Sequence, residues 1–476
     1  MTALWTEAEL ARALGAPSAP LAVPVSGVSI DTRTLAPGDL FFAIKGEASD
    51  GHDYVARAFE AGAAAAVIAQ PRGAGLAAHE PTFLVDDTLR AMERLAKAAR
   101  ARAEARVVTV TGSVGKTSAK EMLRVVLGRF GLTHASAASY NNHWGVPLTL
   151  SRLPASAVFA VIEIGMNHAG EITPLVAMAR PDVALVTTIA PVHIEHLGSL
   201  EGVADAKAEI FSGLEPSGVA VLNRDAPQFE RLAAVAQQRA ARVATFGADA
   251  ACDAQLIGVA AFDGGSRIRA RVFGRELEFV LGAPGLHMAQ NALGVLLACE
   301  ALGVDVAGAA AALAEFAPQH GRGARLMMTS ASGPFTVIDE SYNANPASMR
   351  AALALLGAVE PAGAGRRIAV IGDMLELGPD GAAMHAALAP ELARNGVDLL
   401  FGAGPLTRAL YEAAPPAMRA AWAERANDIL PRLADALRGG DVVMVKGSNG
   451  SRMGPLVVGL RERFASAERD VRKPQC

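Results

Sequence analysis

The segment Val107-Val108-Thr109-Val110-Thr111-Gly112-Ser113-Val114-Gly115-Lys116-Thr117-Ser118 runs β-branched residues into a small turn, and Ala119-Lys120-Glu121-Met122-Leu123 continues it with helix formers. Strand, turn and helix in that order build a phosphate cradle. The N–H groups of the turn and of the first helical turn face an anion, and the helix dipole adds partial positive charge. Lys116 then lies along the β- and γ-phosphates, and the Thr117 hydroxyl holds Mg²⁺. Gly112, Ser113, Gly115 and Ser118 complete the candidate cradle. An ordinary strand–turn–helix containing a lysine is the plain alternative, but Gly-Lys-Thr at a strand end meets the context the motif requires. The common loop carries glycine five positions before Gly115, where this chain has Val110. The shorter variant predicts an ATP site unlike those of GTPase switches or motors.

Such a loop needs a parallel sheet around it. The runs 158–162, 183–186 and 219–222 are almost wholly apolar and alternate with helical stretches, the pattern of parallel strands buried on both faces. Polar residues follow each run (Glu163, then Thr187 and Thr188, then Asn223), and ligands of open α/β sheets gather at those carboxyl ends. Upstream, residues 1–85 read as a small α/β domain, with strands near 28–30, 39–44, 66–68 and 82–85 and a helix over 54–62. Its polar clusters, Ser29-Ile30-Asp31-Thr32-Arg33 and Lys45-Gly46, suit a ligand's hydroxyls and phosphates, although by themselves such clusters are more often simple turns. Residues 87–105 predict a helical connector with Leu89, Met92, Leu95 and Ala99 on one stripe. A further boundary falls near 318–323. Beyond it, strands at 336–338, 368–371, 399–401 and 442–445 predict a second parallel α/β domain, without a phosphate loop, that closes over the first. The expected division is 1–85, 86–317 and 318–476.

A net charge of -4 gives no basic surplus for nucleic acid. Cys252, Cys299 and Cys476 form neither a disulfide framework nor a CxxC pair, which suits a reducing, cytoplasmic setting. The chain is 51% hydrophobic, but much of that is alanine, and no apolar run approaches the ~18 residues of a spanning helix. Glu7 and Glu9 near the start do not fit a secretory signal, so no membrane insertion is expected. His193 and His196 have no Cys or third His at ligand spacing, which argues against zinc.

Seven ordered segments resemble the Mur ligase family of ATP-dependent amide-forming enzymes, over essentially the whole chain. They are residues 29–33 with 38–43, the loop 111–117, Tyr140-Asn141-Asn142-His143-Trp144-Gly145-Val146-Pro147, Glu163-Ile164-Gly165-Met166-Asn167-His168, 193–199, 206–211, and Asp339-Glu340-Ser341-Tyr342-Asn343-Ala344-Asn345-Pro346. The resemblance implies three α/β domains: a small uridine-binding domain, a central parallel-sheet ATPase domain and a Rossmann-like C-terminal domain. It implies that Ser29, Asp31, Thr32, Arg33, Lys45 and Gly46 bind the UDP-sugar, that Glu163 is a metal carboxylate, and that His193 holds a metal or orients phosphate. Lys207 by pattern alone is a helix-surface lysine; the family carbamylates this lysine, making an anion for a second Mg²⁺. Asn291 would lie near the adenine, although Met288 stands where the family usually has asparagine. Arg322 and Asp339 would reach ATP from across the second boundary.

The chemistry so implied is transfer of the ATP γ-phosphoryl group to a carboxylate, followed by attack of an amine on the acyl phosphate. Two anions must meet, so catalysis rests on positioning and charge neutralisation. The 140–147 and 339–346 segments point to the branch that joins D-alanyl-D-alanine to UDP-N-acetylmuramoyl-tripeptide, with Asn141, Asn142, Asn343 and Asn345 as acceptor candidates. A monomer is expected. The alternatives are a sister ligase adding one amino acid, a folylpolyglutamate synthetase, or a regulator that binds ATP and a sugar nucleotide without turnover.

Overall fold

A computed structural model describes residues 3–17, 20–47, 49–70, 80–137, 139–192, 194–262 and 264–471, with side chains through 464. Three sheets in chain order make a three-domain α/β protein. The first has β1 (Gly27–Ser29), β2 (Asp39–Phe42), β3 (Ala65–Ala69) and β4 (Thr82–Val85), parallel and in that order. The second contains β5 (Arg106–Thr111), β6 (Thr133–Ala135), β7 (Phe159–Glu163), β8 (Val183–Val186), β9 (Val219–Asn223), β10 (Arg242–Gly247), β11 (Ala254–Phe262), β12 (Gly265–Val272) and β13 (Arg275–Leu281). Its order is β13-β12-β11-β10-β9-β8-β5-β7-β6. The third contains β14 (Ala324–Ser330), β15 (Gly333–Glu340), β16 (Arg367–Gly372), β17 (Leu399–Ala403), β18 (Arg419–Ala423) and β19 (Val442–Lys446), in the order β14-β15-β19-β16-β17-β18.

The central order sets the site. The chain leaves β5 for β6 and β7 on one side and returns for β8 on the other, so a crevice opens at the carboxyl end of β5, flanked by those of β7 and β8. The expected phosphate loop, Glu163 and Thr187 all stand at that crevice. Helix Leu286–Ala301, almost wholly buried, covers β8 to β11 and packs on the loop helix Lys116–Leu127.

The first two sheets share a core, besides one that each has of its own. Trp5, Phe42, Val67 and Phe83 of the N-terminal part pack in one cluster with Leu148, Ile162, Phe211 and Leu222 of the central part. Helix Thr88–Arg102, capped by the Asp87 side chain, lies in the middle of it and buries Met92, Leu95 and Ala99. Trp5 Nε1 donates to the Ser151 carbonyl at 2.9 Å and Arg152 Nε to the Val28 carbonyl at 2.6 Å, so the seam is hydrogen-bonded as well as apolar. The predicted connector is therefore a core element. Both faces of the third sheet carry cores of their own.

The parallel strands follow the apolar runs of the sequence. β6, β10 and the antiparallel extension β11–β13 lie outside that reading, as do β14 and β18. β12 carried a usable signal: Ile268, Ala270 and Val272 are buried while Arg267, Arg269 and Arg271 are exposed, the alternation of a sheet with one wet face. Among the described residues no helix is long and apolar enough to cross a membrane.

Candidate active site

The turn between β5 and helix Lys116–Leu127 has Gly112 at φ 146° and Gly115 at φ 88°. A Cβ on Gly112 would stand 2.0 Å from Thr187 Oγ1, and one on Gly115 2.6 Å from Asn291 Nδ2. Glycine is required twice, by backbone angle and by close approach. The segment after β8 braces the turn: Thr187 Oγ1 donates to the Val114 carbonyl at 2.6 Å, Ser113 N to the Thr188 carbonyl at 2.8 Å, and Ser113 Oγ to the Ala190 carbonyl at 3.0 Å. No side chain caps the helix, so its leading N–H groups are free for an anion. Lys116 Nζ folds back on the Gly112 carbonyl at 2.6 Å. Desolvation holds the Lys116 pKa below its ordinary value; Glu163 opposes this and Arg322 adds to it.

At the end of β7, Glu163 is 1% exposed. Its Oε1 accepts from Thr117 Oγ1 at 3.1 Å and from Asn141 Nδ2 at 2.8 Å, while among the described residues its buried Oε2 has no hydrogen-bond partner. A buried carboxylate oxygen without a donor is costly unless a cation meets it. Glu163 and Thr117 are hard oxygen donors, so the residues present fit Mg²⁺.

Lys207 ends up far from the helix surface that its pattern suggested: it is 1% exposed. In the last turn of helix Leu200–Ala208 only Asp205 faces solvent, paired with Arg231, while Ala204, Ala206 and Ala208 are buried with Lys207 on the inward side. Among the described residues no hydrogen bond or ion pair reaches its Nζ. Burial pushes its pKa well below that of a free lysine, and the Lys116 charge pushes it further. His193 lies outside the described residues.

The opposite wall of this cleft, which holds about 430 Å³, comes from the C-terminal domain. Arg322 Nη2 donates to Ser139 Oγ at 3.1 Å across the boundary, and its guanidinium lies 4.2 Å from the centre of the Tyr342 ring. Asp339 lies behind the cleft rather than in its lining. Its Oδ2 accepts from Gly321 N at 2.8 Å and its Oδ1 from Ser341 Oγ at 2.6 Å, so it fixes the Arg322 turn. The neighbouring Glu340 lines the cleft instead, paired with Lys446 at 3.1 Å. Asn343 and Asn345 both line it, as do Asn291 and Ser118. His287 sits where this cleft meets a larger, mostly apolar opening of about 1640 Å³ between the β11–β12 hairpin and the C-terminal domain; no predicted site residue lines that opening.

The N-terminal candidates gather elsewhere. Ser29 is buried, and its Oγ donates to the Asp31 carbonyl at 3.1 Å. Arg33 pairs with Asp31 through Nη2 at 2.6 Å, in the turn that also holds Thr32. A Cβ on Gly46, beside exposed Lys45, would stand 3.3 Å from the Trp144 ring, so the 140–147 segment reaches this strand end while Asn141 reaches Glu163. Asn142 is spent on structure: its Oδ1 accepts from Trp144 N at 3.2 Å and Gly145 N at 2.9 Å, at the start of helix Gly145–Ser151. The sequence marked Thr187 only as a polar residue at a strand end and Glu340 only as part of the 339–346 segment, and Lys446 and Ser139 were not among the expected site residues.

Family models bear on this arrangement. One described as Mur ligase family, catalytic domain, matches residues 24–100; the Mur ligase middle domain matches 110–299; and the Mur ligase, glutamate ligase domain matches 324–449. The chain is 34% identical to the UDP-N-acetylmuramoyl-tripeptide–D-alanyl-D-alanine ligase of Bacillus subtilis, over 92% of this chain and 93% of that one. It is 35% identical to the Escherichia coli ligase of the same name, over 92% and 94%. A crystal structure of MurF from Acinetobacter baumannii superposes with a TM-score of 0.83 at 28% identity, covering 96% of this chain and 99% of that one. The chain belongs to the Mur ligase family.

Proposed function

We propose that this ATP-dependent ligase joins D-alanyl-D-alanine to UDP-N-acetylmuramoyl-tripeptide through an acyl phosphate, releasing ADP and phosphate in peptidoglycan precursor synthesis. One observation carries the reading. The phosphate loop, the Thr117–Glu163–Asn141 cluster with its unpartnered oxygen, and Arg322, Asn343 and Asn345 from the other domain all face one cleft. Relatives over nine-tenths of the chain carry that ligase name.

In this reading the loop amides and Lys116 hold the ATP phosphates, and Arg322 adds charge from the far wall. Mg²⁺ at Thr117 and Glu163 would neutralise phosphate charge as the phosphoryl group moves to the tripeptide carboxylate. Lys207 is suited to carbamylation because burial lowers the pKa of its amine and favours the neutral form that reacts: the nitrogen bonds to CO₂ carbon, a proton leaves to solvent, and an anion suited to a second Mg²⁺ would result. The candidates at residues 29–33 and 45–46 take the uridine end of the donor. The acceptor amine needs no dedicated strong base, since an α-amino group titrates near 7.7–8.0. Asn343 and Asn345 hold the acceptor more firmly than Asn141, which serves Glu163, and than Asn142, which serves as a cap. A cytoplasmic monomer belongs to the same reading.

Purified protein should release phosphate from ATP only with both tripeptide donor and dipeptide present, and the product mass should equal their condensation. D-alanyl-D-alanine should exceed D-alanine, L-lysine and diaminopimelate by at least about a hundredfold in kcat/KM, roughly 2.7 kcal/mol, because a shorter acceptor gives up its carboxylate contacts or its attack geometry. A single amino acid as the better acceptor would make this a sister ligase; phosphate release independent of acceptor would refute the reading.

A further inference from the structure

We propose that Lys446 is a positioning residue for the acceptor, acting through the loop that follows β15; this rests on the ligase reading above. Lys446 ends β19 opposite Glu340 at the end of β15 and is 2% exposed, yet it borders the cleft. Its Nζ donates to Glu340 Oε2 at 3.1 Å and to the Asn343 carbonyl at 2.9 Å. Two residues on, Ser448 Oγ donates to the Ala344 carbonyl at 3.3 Å. The end of β19 thus grips two successive carbonyls of one loop.

That grip fixes what the loop presents. Asn343 Oδ1 accepts from Ala344 N at 2.9 Å, and Asn345 Oδ1 accepts from Ser348 N at 2.9 Å as the N-cap of helix Pro346–Gly357. Both amide oxygens are occupied by backbone donors, which leaves both NH₂ groups as the outward functions. Among the described residues neither NH₂ has a hydrogen-bond partner. Two oriented donors beside a cleft suit a carboxylate. With the Asn343 carbonyl released, its amide would lose its orientation, and the acceptor carboxylate would lose a charge-assisted hydrogen bond on which its binding rests.

The test is steady-state kinetics of the full-length chain bearing Lys446→Met. Wild-type protein must first show dipeptide-dependent turnover; without it the ligase reading fails, not this proposal. In the variant, KM for the dipeptide should rise at least about tenfold, with KM for ATP within about twofold and kcat within about threefold. Ser448→Ala should shift KM for the dipeptide in the same direction, by less. Hydrogen exchange over 341–345 should quicken in Lys446→Met while helix Pro346–Gly357 stays protected. Removing Lys446 also strands the Glu340 charge, so Lys446→Met/Glu340→Gln separates charge from tether: KM for the dipeptide should stay raised. The proposal is overturned by an unchanged KM for the dipeptide, by an equal rise in KM for ATP, by unchanged exchange over 341–345, or by recovery in the double variant. Unfolding of Lys446→Met and the double variant at assay temperature would assign Lys446 to the fold and overturn it too.

Discussion

Glu163→Gln separates a metal carboxylate from an ordinary buried acid, because the two make opposite predictions for stability. The amide oxygen still accepts from Thr117 and Asn141, and the NH₂ replaces the Oε2 that has no partner. Leaving a buried polar atom unsatisfied costs about 1–3 kcal/mol, more when charged. The amide NH₂ remains unpartnered but neutral, and the attraction between Glu163 and Lys116 is lost. Together these leave a gain of about 1 kcal/mol for the ligand-free variant, or about 2–4 °C in Tm for a domain of some 200 residues. Catalysis should move the other way. Losing the negative charge that holds the cation should lower kcat at least about a hundredfold, ~2.7 kcal/mol. Differential scanning fluorimetry with and without MgADP reads both effects: wild type gains Tm on adding MgADP, and the variant starts higher but gains little. A variant less stable than wild type that keeps its MgADP shift and its activity would refute the assignment.

Lys116→Ala should lower kcat at least about a hundredfold and leave Tm within about 2 °C, since it removes a charge at the phosphates and no core contact; near-wild-type turnover would remove the lysine from the site. Lys207→Arg should be inactive although the charge is kept, because arginine forms no carbamate; intact-mass measurement under CO₂-preserving conditions should find the carbamyl group on wild type only, and an active variant refutes the role. Buried His385 accepts from Met374 N through Nε2 and donates through Nδ1 to the Gly381 carbonyl, and desolvation lowers its pKa, as it does that of His134. The unfolded chain therefore binds these protons first, and stability is lost as pH falls below about 6.5, by up to about 1.4 kcal/mol per pH unit for each histidine. Urea titrations between pH 7 and pH 5.5 should show the slope and His385→Gln should flatten it; a wild type equally stable across that range excludes it.

The phosphate loop was legible because one segment carries everything it needs: β-branched residues for the strand, glycines at the turn, lysine at the helix start. The strand-end positions of Glu163 and Thr187 were legible for the same local reason. What could not be read was which way neighbours point. Asp339 and Glu340 are the last two residues of β15, so they take opposite sides of the sheet, and only the tertiary partners Gly321 and Lys446 distinguish them. Asn142 and Asn345 look like ligand groups in sequence, yet their oxygens satisfy helix N-termini, a use that asparagine serves equally well. Lys207 misled most, because lysine on a helix is usually solvated and nothing local says that it shares the buried face with Val203 and its alanine neighbours while Asp205 takes the solvent face.

The apolar seam that Trp5, Met92 and Leu148 share has a bearing on how the enzyme is divided for study and how it is built in the cell. A fragment starting at β5 would expose the underside of helix Gly145–Ser151, and one ending at β4 would lose the helix that completes its own interior. Neither is a self-sufficient folding unit, whereas a cut near 318 severs cores that are already distinct. During synthesis the shared side of the N-terminal sheet is therefore covered only once helices Thr88–Arg102 and Gly145–Ser151 have been made. The N-terminal and central domains are then expected to unfold together in a denaturant titration, and the C-terminal domain, with cores of its own, as a separate unit.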